Sequence, residues 1–196
     1  LETVPIEEKE SFRWLEGQRQ AKAVAEICAD TQCVLVGDSE TDIYEVFSES
    51  RQTAHGRPLE LLIRGCQNRA TDLEGQPILT QARASEVVHR MSIDVSARKA
   101  KTKIETRKRS KSRSARTAEV EVRVCQVNLR PPHRPDRKLP PITINVVLVE
   151  ETSPPEGEDA IQWMLLTTLP IDSAEQVLMV IEYYRARWTI ENYFKI

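Results

Sequence analysis

The sequence has no apolar stretch long enough to cross a membrane, because roughly 20 consecutive apolar residues are needed to span a bilayer and none of its stretches approaches that length. Residues 1–8 are mostly apolar or acidic and contain no basic residue, so they lack the regions of a secretory signal peptide. We therefore expect a cytoplasmic protein with no membrane partner.

Glycine is scarce, with 6 residues in a chain of 196, and 40% of the residues are hydrophobic. A chain of this length and composition can bury one sizeable core and has room for a small second one. The composition is that of an ordinary globular protein, so the function has to be sought in motifs and in the placement of charge.

Clusters of metal-binding cysteine and histidine are also absent from the sequence. The four cysteines stand singly among apolar neighbours without a CxxC pair, and the three histidines lie at no ligand spacing from them. These residues are Cys28, Cys33, Cys66, Cys125, His55, His89 and His133. We predict buried free thiols, with zinc ligands or a disulfide as the alternative.

The net charge is only −2 at pH 7, which argues against a nucleic-acid binder that neutralises many phosphates. The distribution of charge indicates otherwise, because basic residues crowd residues 98–116 with Glu105 as the only acid among them. They are Arg98, Lys99, Lys101, Lys103, Arg107, Lys108, Arg109, Lys111, Arg113 and Arg116. A compact positive patch can attract DNA even on a neutral chain. We expect a long mobile loop here, which either touches DNA nonspecifically or is simply solvated.

The first part of the chain alternates between helical and strand patterns. Apolar residues at helical spacing predict a helix over residues 5–29, and short apolar runs predict strands over residues 32–37 and 59–63. A helix is expected between the two strands, over residues 42–51. Since a compact strand, helix, strand succession forms a βαβ unit, the two strands should be parallel and the fold class α/β.

The pattern changes after about residue 70. Residues 79–89 are predicted to form a short helix, and alternating or β-branched runs predict four further strands joined by loops, hence an antiparallel sheet. These strands are expected at residues 91–95, 118–127, 141–149 and 162–168. A final helix should begin after Ser173, with Gln176 completing its cap. We therefore expect one domain, residues 1–70 and 171–196, interrupted by a β-rich insertion over residues 71–170.

A polar face on the final helix is the most informative local feature. Tyr184, Arg187, Glu191 and Lys195 follow one another at offsets of three, four and four, which stacks them on one side of a helix. Asp38 directly follows the strand at residues 32–37, where open α/β sheets place their chemistry. Taken singly, Asp38 could be a strand-end turn residue, and Glu191 an exposed carboxylate paired with a neighbouring base. Taken together, the two carboxylates suggest a metal site.

These segments resemble the IS4-type DDE transposases of the Tn5 branch. That family carries a helix motif of Tyr, two residues, Arg, three residues, Glu, six residues and Lys, which Tyr184, Arg187 and Glu191 match. The closing lysine of the motif would fall two positions beyond Ile196. Further matches in the same order are Glu8 to Ser11 followed by Trp14 and Leu15, Gly37 to Ile43, Leu62 to Arg64, and Ile161 to Thr167.

The resemblance implies a ribonuclease H-like core, interrupted by a β insertion before the helix that bears the catalytic glutamate. It also implies metal-dependent DNA cleavage and strand transfer, with two Mg²⁺ or Mn²⁺ ions. The position of Asp38 would bridge both ions and that of Glu191 would hold one. The first catalytic aspartate of the family, with the first strands of the core, would precede Leu1. We therefore expect a fragment that does not cut or join DNA by itself.

The resemblance and the placement of charge also suggest contacts with DNA. Arg187 and Tyr184 would contact phosphates, and Trp163 and Trp188 would stack on a base extruded from the duplex. Positions flanking the expected metal site add Arg64, Arg69 and Lys195 as backbone contacts. For each of these residues, burial in the core or a solvated charge is the alternative.

The expected partners are DNA, as transposon ends and target, and a second copy of the chain, without a small-molecule substrate and in the bacterial cytoplasm at the nucleoid. In ribonuclease H-like sheets the strand at residues 32–37 has a neighbour that this sequence lacks. That edge should pair with another copy or be covered by the N-terminal segment. Two other readings stay open, namely a non-catalytic DNA-binding or self-associating module and an unrelated ribonuclease H-like nuclease.

Overall fold

The computed structural model of the protein describes residues 9–98, 101–103, 108–110, 112–134 and 137–193. Within these ranges the chain forms four α-helices and eight β-strands. The helices are α1 (Phe12–Ile27), α2 (Tyr44–Ser48), α3 (Ile78–Ala84) and α4 (Ala174–Tyr193). The strands are β1 (Val34–Gly37), β2 (Glu60–Gly65), β3 (Val87–Val95), β4 (Lys101–Lys103), β5 (Lys108–Ser110), β6 (Arg116–Leu129), β7 (Ile142–Glu151) and β8 (Gln162–Thr167). None of the helices in the described part is long and apolar enough to cross a bilayer.

Six strands form one mixed sheet in the order β1, β2, β8, β7, β6, β3. The predicted parallel pairing of the first two strands is confirmed, with Leu35 opposite Leu61. The later strands are antiparallel, as predicted, and β8 joins the two groups by pairing with β2. The predicted boundary near residue 71 therefore does not interrupt the sheet. The fold is mixed α/β, and its assignment to a ribonuclease H-like core stays a prediction.

The sheet is buried on both faces because successive residues of a strand point to opposite sides. Leu61 and Ile63 belong to an apolar cluster shared with α1, α2 and α3, whereas Leu62 belongs to a second cluster shared with α4. The same division runs along β7 and β8. The molecule thus has three layers, with three helices on one face of the sheet and α4 on the other.

The strand β1 lies at the edge of the sheet, and within the described residues it pairs only with β2. Its residues Val34, Leu35 and Val36 are partly buried, with Leu35 packed towards one cluster and the two valines towards the other. The expectation of an apolar edge strand is confirmed. Whether a second copy or residues 1–8 cover this edge stays a prediction.

Some predicted boundaries are wrong. The short helix ends at Ala84, and residues 87–89 belong to β3 rather than to a helix, because Ser85 is extended and Val87 pairs with Arg123. The expected helix over residues 42–51 is reduced to α2, preceded by a 3-10 turn at Ser39–Thr41. The helix is shorter than expected because Ile43 and Glu49, which flank α2, have extended backbone conformations.

The basic segment also differs from the prediction of a long loop. Part of it forms the antiparallel pair β4 and β5, with Lys101 opposite Ser110 and Lys103 opposite Lys108. The cysteines are free, as predicted, but only Cys33 and Cys125 are partly buried, whereas Cys28 and Cys66 are exposed. Cys28 and Cys66 lie in the connecting segments after α1 and after β2, outside the two apolar clusters.

Candidate functional site

The carboxyl ends of β1 and β2 lie together at one end of the sheet. We call this end of the strands the carboxyl edge, as distinct from the outer strand β1. Gly37 lies opposite Ile63 and Gly65 lies opposite Met164, so Asp38, Arg64 and Trp163 stand close to this edge. The strand register therefore gathers candidates that are far apart in sequence. Asp38 and Trp163 are separated by 125 residues along the chain.

Asp38 caps the 3-10 turn that follows β1. The backbone N–H of Glu40 donates to its Oδ1 at 2.9 Å, whereas Oδ2 has no hydrogen-bond partner in the described ranges. The turn folds back tightly on the strand end, since a Cβ added at Gly37 would lie 2.8 Å from Ile63 Cδ1 and from Thr41 Cβ. A glycine directly before Asp38 is therefore required by the close approach of the turn. Oδ2 of Asp38 has no partner among the described residues, and we call it the open oxygen of Asp38.

Asp42 is a second acidic residue near this edge, and its role was not identified from the sequence. Its side chain is fully buried and accepts from the backbone N–H groups of Cys66 and Gln67 at 2.7 and 2.9 Å. It also forms an ion pair with Arg69. These contacts tie the turn after β1 to the loop after β2. Asp42 was visible in the sequence only as part of the Gly37 to Ile43 match.

Arg69 lies inside this arrangement rather than on the surface. Its side chain is 11% exposed, and Nη2 donates to the main-chain oxygen of Asp42 at 2.8 Å. The guanidinium carbon also lies 5.8 Å from the ring centroid of Phe47. The geometry gives Arg69 a structural role and does not favour the predicted contact with DNA, because its charge is already neutralised by Asp42.

Arg64 remains near the carboxyl edge. It is partly buried, and its Nη2 donates to the main-chain oxygen of Gln162 at 3.5 Å. Burial, followed by the positive charges of Arg98 and Arg116 and, more weakly, of Arg64, lowers the pKa of Arg113, and Glu158 opposes the effect. Arg64, Arg98 and Arg116 are therefore close enough to Arg113 to act on its charge, although Arg116 is itself paired with Glu151 and Glu158.

An aromatic pair connects α4 with β8. The rings of Trp163 and Tyr184 are 5.4 Å apart at an interplanar angle of 62°, an edge-to-face contact. Arg187 lies over the ring of Tyr184, with its guanidinium carbon 5.7 Å from the ring centroid. Tyr184 is fully buried, and its hydroxyl has no hydrogen-bond partner in the part of the chain that is described. This burial favours the core alternative for Tyr184 over the predicted DNA contact.

The helix α4 begins at the opposite end of the sheet and runs towards the carboxyl edge. Its start follows Thr168, whose N–H donates to Leu61 at 3.0 Å, and Tyr184 contacts Trp163 near the edge. The helix packs against β1 along the way. Glu191 is seven residues beyond Tyr184, about 10 Å further along the helix axis.

The side chains of Glu191 and Trp188 lie outside the described part of the structure, and Lys195 is beyond the described residues altogether. The approach of the Glu191 carboxylate to Asp38 therefore stays a prediction. The topology nevertheless brings the helix that carries Glu191 to the edge at which β1 delivers Asp38.

The described residues contain no group of three or more histidine, cysteine, aspartate or glutamate side chains that could hold a metal ion. Asp42 is occupied by Arg69 and two amides, and Glu40 is ion-paired with Arg13 at 3.0 Å. Asp38 supplies one open carboxylate oxygen. That is too few ligands for a pair of Mg²⁺ ions, which prefer a full shell of oxygen atoms, so further ligands would have to come from α4 or from another chain.

Cys66 lies in the loop after β2, next to the 3-10 turn that follows β1. Burial, and then the negative charge of Asp42, raises the pKa of its thiol, and Sγ donates to the main-chain oxygen of Ser39 at 3.3 Å. The thiol is therefore protonated at neutral pH and is a poor nucleophile. The hydrogen bond from Cys66 to Ser39 links the loop after β2 to the turn after β1.

No protein-family model matches the chain.

Proposed function

We propose that this chain is part of the catalytic domain of a DDE transposase, an enzyme that cleaves DNA and joins the freed 3′ hydroxyl to a target. The supporting observation is the course of α4, which carries the Tyr184, Arg187 and Glu191 spacing. This helix packs against β1 and runs towards the edge where Asp38 presents an open carboxylate oxygen. A carboxylate at a strand end and another on an adjoining helix are suited to binding divalent cations.

In this proposal Asp38 and Glu191 are the catalytic carboxylates and would hold Mg²⁺ or Mn²⁺. The metal would stabilise the entering and departing oxygens of the phosphodiester. Arg187 is suited to bind a phosphate because its guanidinium is planar and always charged. Trp163 is partly exposed beside it and offers a ring on which a displaced base could stack. The partners are DNA and a second copy of the chain, in the bacterial cytoplasm.

Metal binding tests this proposal directly. Titration of the chain with Mn²⁺ in the presence of duplex DNA should give weak binding, and Asp38→Asn and Glu191→Gln should each reduce the affinity by about tenfold or more, which corresponds to about 1.4 kcal/mol. The matched control is Glu40→Gln, because that carboxylate lies two residues from Asp38 but is paired with Arg13. Absence of Mn²⁺ binding, or an unchanged affinity in either of the first two variants, contradicts the proposal.

The 196 residues alone are not expected to cut DNA, because the described part supplies a single open carboxylate at the carboxyl edge. A plasmid nicking assay with Mg²⁺ or Mn²⁺ checks this expectation. Cleavage by the chain that is abolished by Asp38→Ala would show that the site is complete, and our expectation of an inactive fragment would then be wrong.

A second candidate function is a binding module that holds DNA without reacting with it. The observation that favours it is the concentration of positive charge in residues 98–116 of a chain that is acidic elsewhere. DNA binding that weakens steeply with salt, with neither Mn²⁺ binding nor cleavage, is the result that would select this function.

A further inference from the structure

The strands β3 and β6 extend well past the carboxyl edge. The register places Gly65 level with Met164, Leu148 and, on β6, Arg123. Arg116, at the start of β6, lies seven residues beyond Arg123, which corresponds to about 24 Å of strand. This extension lies at the same end of the sheet as the second half of α4.

The paired strands continue beyond the sheet as a two-stranded ribbon. Arg98 and Arg113 exchange two backbone hydrogen bonds of 2.8 Å, and β4 then pairs with β5. We call the Arg98–Arg113 bridge together with β4 and β5 the basic ribbon. Towards the start of β6, the pairing with β7 stops at Val120. The basic ribbon therefore has no third strand beside it in the described residues.

Positive charge is concentrated in this part of the chain. Residues 96–115 hold nine of the 28 basic residues and one of the 30 acidic residues, which leaves 19 basic against 29 acidic residues elsewhere. The segment therefore carries a formal charge of +8 and the remainder −10. On β4 and β5, four of six positions are basic and none is acidic. A chain with a net charge of only −2 thus combines a basic segment, residues 96–115, with an acidic body.

The strand register is unfavourable for the isolated ribbon. Lys103 lies directly opposite Lys108, and like charges at directly opposed positions destabilise a strand pair. A two-stranded ribbon is only marginally stable by itself. A ligand with dense negative charge would remove this repulsion, whereas an ordinary solvated surface would leave it in place.

The base of the basic ribbon is fixed to the body by carboxylates. Arg116 binds Glu151 at 2.8 Å and also pairs with Glu158, and Glu158 accepts from the backbone and hydroxyl of Ser114. Arg113 donates to the main-chain oxygen of Ser96 at 3.1 Å. The charge of Arg116 is therefore neutralised by Glu151 and Glu158, and the other basic residues of the segment precede it in the chain.

The composition of residues 96–115 identifies the class of polyanion. The segment has no aromatic residue and a single large apolar one, Ile104. Insertion into a lipid surface requires apolar anchors, and binding of single strands relies on aromatic stacking. The major groove of B-DNA admits a two-stranded β-ribbon, whereas that of A-form RNA is too narrow. Duplex DNA fits this composition and shape best.

We propose that the basic ribbon is an arm that binds the phosphate backbone of duplex DNA without sequence preference and holds the duplex beside the carboxyl edge. This inference deepens the proposed function, since it assigns the DNA-holding surface. It uses neither Asp38 nor Glu191.

Binding of the chain to a short blunt DNA duplex, followed by fluorescence anisotropy without divalent metal, tests the arm. The ribbon variant replaces four basic residues with glutamine: Lys101, Lys103, Lys108 and Arg109. Each lost phosphate contact reduces the slope of log K against log salt by about 0.9, so the slope should become shallower by about 3 to 4 between about 50 and 200 mM salt. The affinity should fall at least about tenfold, equally for unrelated sequences.

The control variant removes the same number of charges near the opposite end of the sheet, by replacing Lys22, Arg57, Arg130 and Lys138 with glutamine. It should keep most of the affinity and the slope. Equal losses in both variants, or wild-type binding by the ribbon variant, would overturn the proposal. So would tighter binding to single-stranded DNA, duplex RNA or vesicles of anionic lipid than to duplex DNA. An unchanged circular dichroism spectrum establishes that the ribbon variant is folded.

Two separate readouts distinguish this proposal from the proposed function. Mn²⁺ binding reports on Asp38 and Glu191, whereas the salt slope measured without divalent metal reports on the basic ribbon. If Mn²⁺ binding fails in every variant while the ribbon variant still loses DNA affinity, the transposase proposal is wrong and the arm stands. If Mn²⁺ binding depends on Asp38 and Glu191 but the ribbon variant binds DNA normally, the arm proposal is wrong and the transposase proposal stands.

Discussion

Two aspartates four residues apart, Asp38 and Asp42, have opposite environments. Asp38 keeps one carboxylate oxygen open at the end of β1, whereas Asp42 is buried and surrounded by two backbone amides and Arg69. The first is therefore able to bind a ligand, and the second cannot do so without losing its internal partners. The buried carboxylate of Asp42 holds in place the turn after β1, in which Asp38 lies, and the loop after β2.

Removing the Asp42 carboxylate should destabilise the protein strongly. Asp42→Ala leaves the Arg69 guanidinium buried without its counter-charge, and we expect a loss of about 3 to 5 kcal/mol in the free energy of unfolding. Urea denaturation of the variant checks this value, with Asp38→Ala as the control because the side chain of Asp38 makes one hydrogen bond. A loss below about 1 kcal/mol for Asp42→Ala would contradict the structural role given to the pair.

At the residue scale, the sequence was sufficient to select residues with local signals. Asp38 follows an apolar strand and Ser173 precedes a helix, and both features were predicted. The pairing of Asp42 with Arg69 could not be predicted, because the two residues are 27 positions apart and meet only through the arrangement of two loops. Burial of Tyr184 was likewise open, since a tyrosine on a helix face can point to the core or to a ligand.

At the scale of elements, an ion-pair network joins the start of β6, the end of β7 and the loop before β8. Glu151 is nearly fully buried and accepts from Arg116, and the backbone N–H of Ile161 donates to it at 2.8 Å. Three elements that are distant in sequence are therefore held by one carboxylate. The same network fixes the base of the basic ribbon.

Acid should loosen this junction. The hydrogen bond from Arg116 lowers the pKa of Glu151 below its ordinary value of 4.5, although burial opposes the effect. A lowered pKa means that ionised Glu151 stabilises the folded state above pH 4.5 and that this contribution is lost as the pH falls through the folded-state pKa. Glu151→Gln should therefore cost about 1.5 to 3 kcal/mol at neutral pH, and the difference from the wild type should shrink in acid.

Unfolding free energies of both proteins at several pH values provide the measurement. The control is Glu156→Gln, which alters an exposed carboxylate in the same connection between β7 and β8. If the difference between the wild type and Glu151→Gln is the same at pH 3 and pH 7, the ion pair does not contribute through its charge.

The elements that the sequence predicted best are those with a strong period or a cap. The capping box of α4 is present as expected, with Ser173 N–H donating to Gln176 Oε1 at 3.1 Å and Gln176 N–H donating to Ser173 Oγ at 3.3 Å. The pair β4 and β5 was missed because its residues are charged rather than apolar, and pairing there continues the register of β3 and β6. A hairpin made of charged residues carries no hydrophobic pattern from which it could be predicted.

At the scale of the whole molecule, the outer side of β1 has no strand paired with it among the described residues. An apolar edge strand is a template for further pairing. We expect the backbone amides of residues 34–37 to be protected from hydrogen exchange, by a second copy of the chain or by residues 1–8. Exchange measured by mass spectrometry, together with light scattering, distinguishes the two forms of cover.

The opposite edge strand provides the internal control. Residues 87–95 form β3, in which Val88 is 43% exposed, and the amides on its outer side should exchange faster than those of β1. A monomer whose residues 34–37 exchange as fast as an open edge would contradict the expectation.

The separation of the chain into a basic segment and an acidic body gives the molecule a large electric dipole, although its pI is about 6.0. In dilute buffer the basic segment of one molecule should attract the acidic body of the next, so head-to-tail clusters should form at low ionic strength and dissolve as salt screens the attraction. Added nucleic acid would compete for the basic segment. Low-salt turbidity that clears on adding a duplex would therefore reflect the arrangement of charge within the molecule.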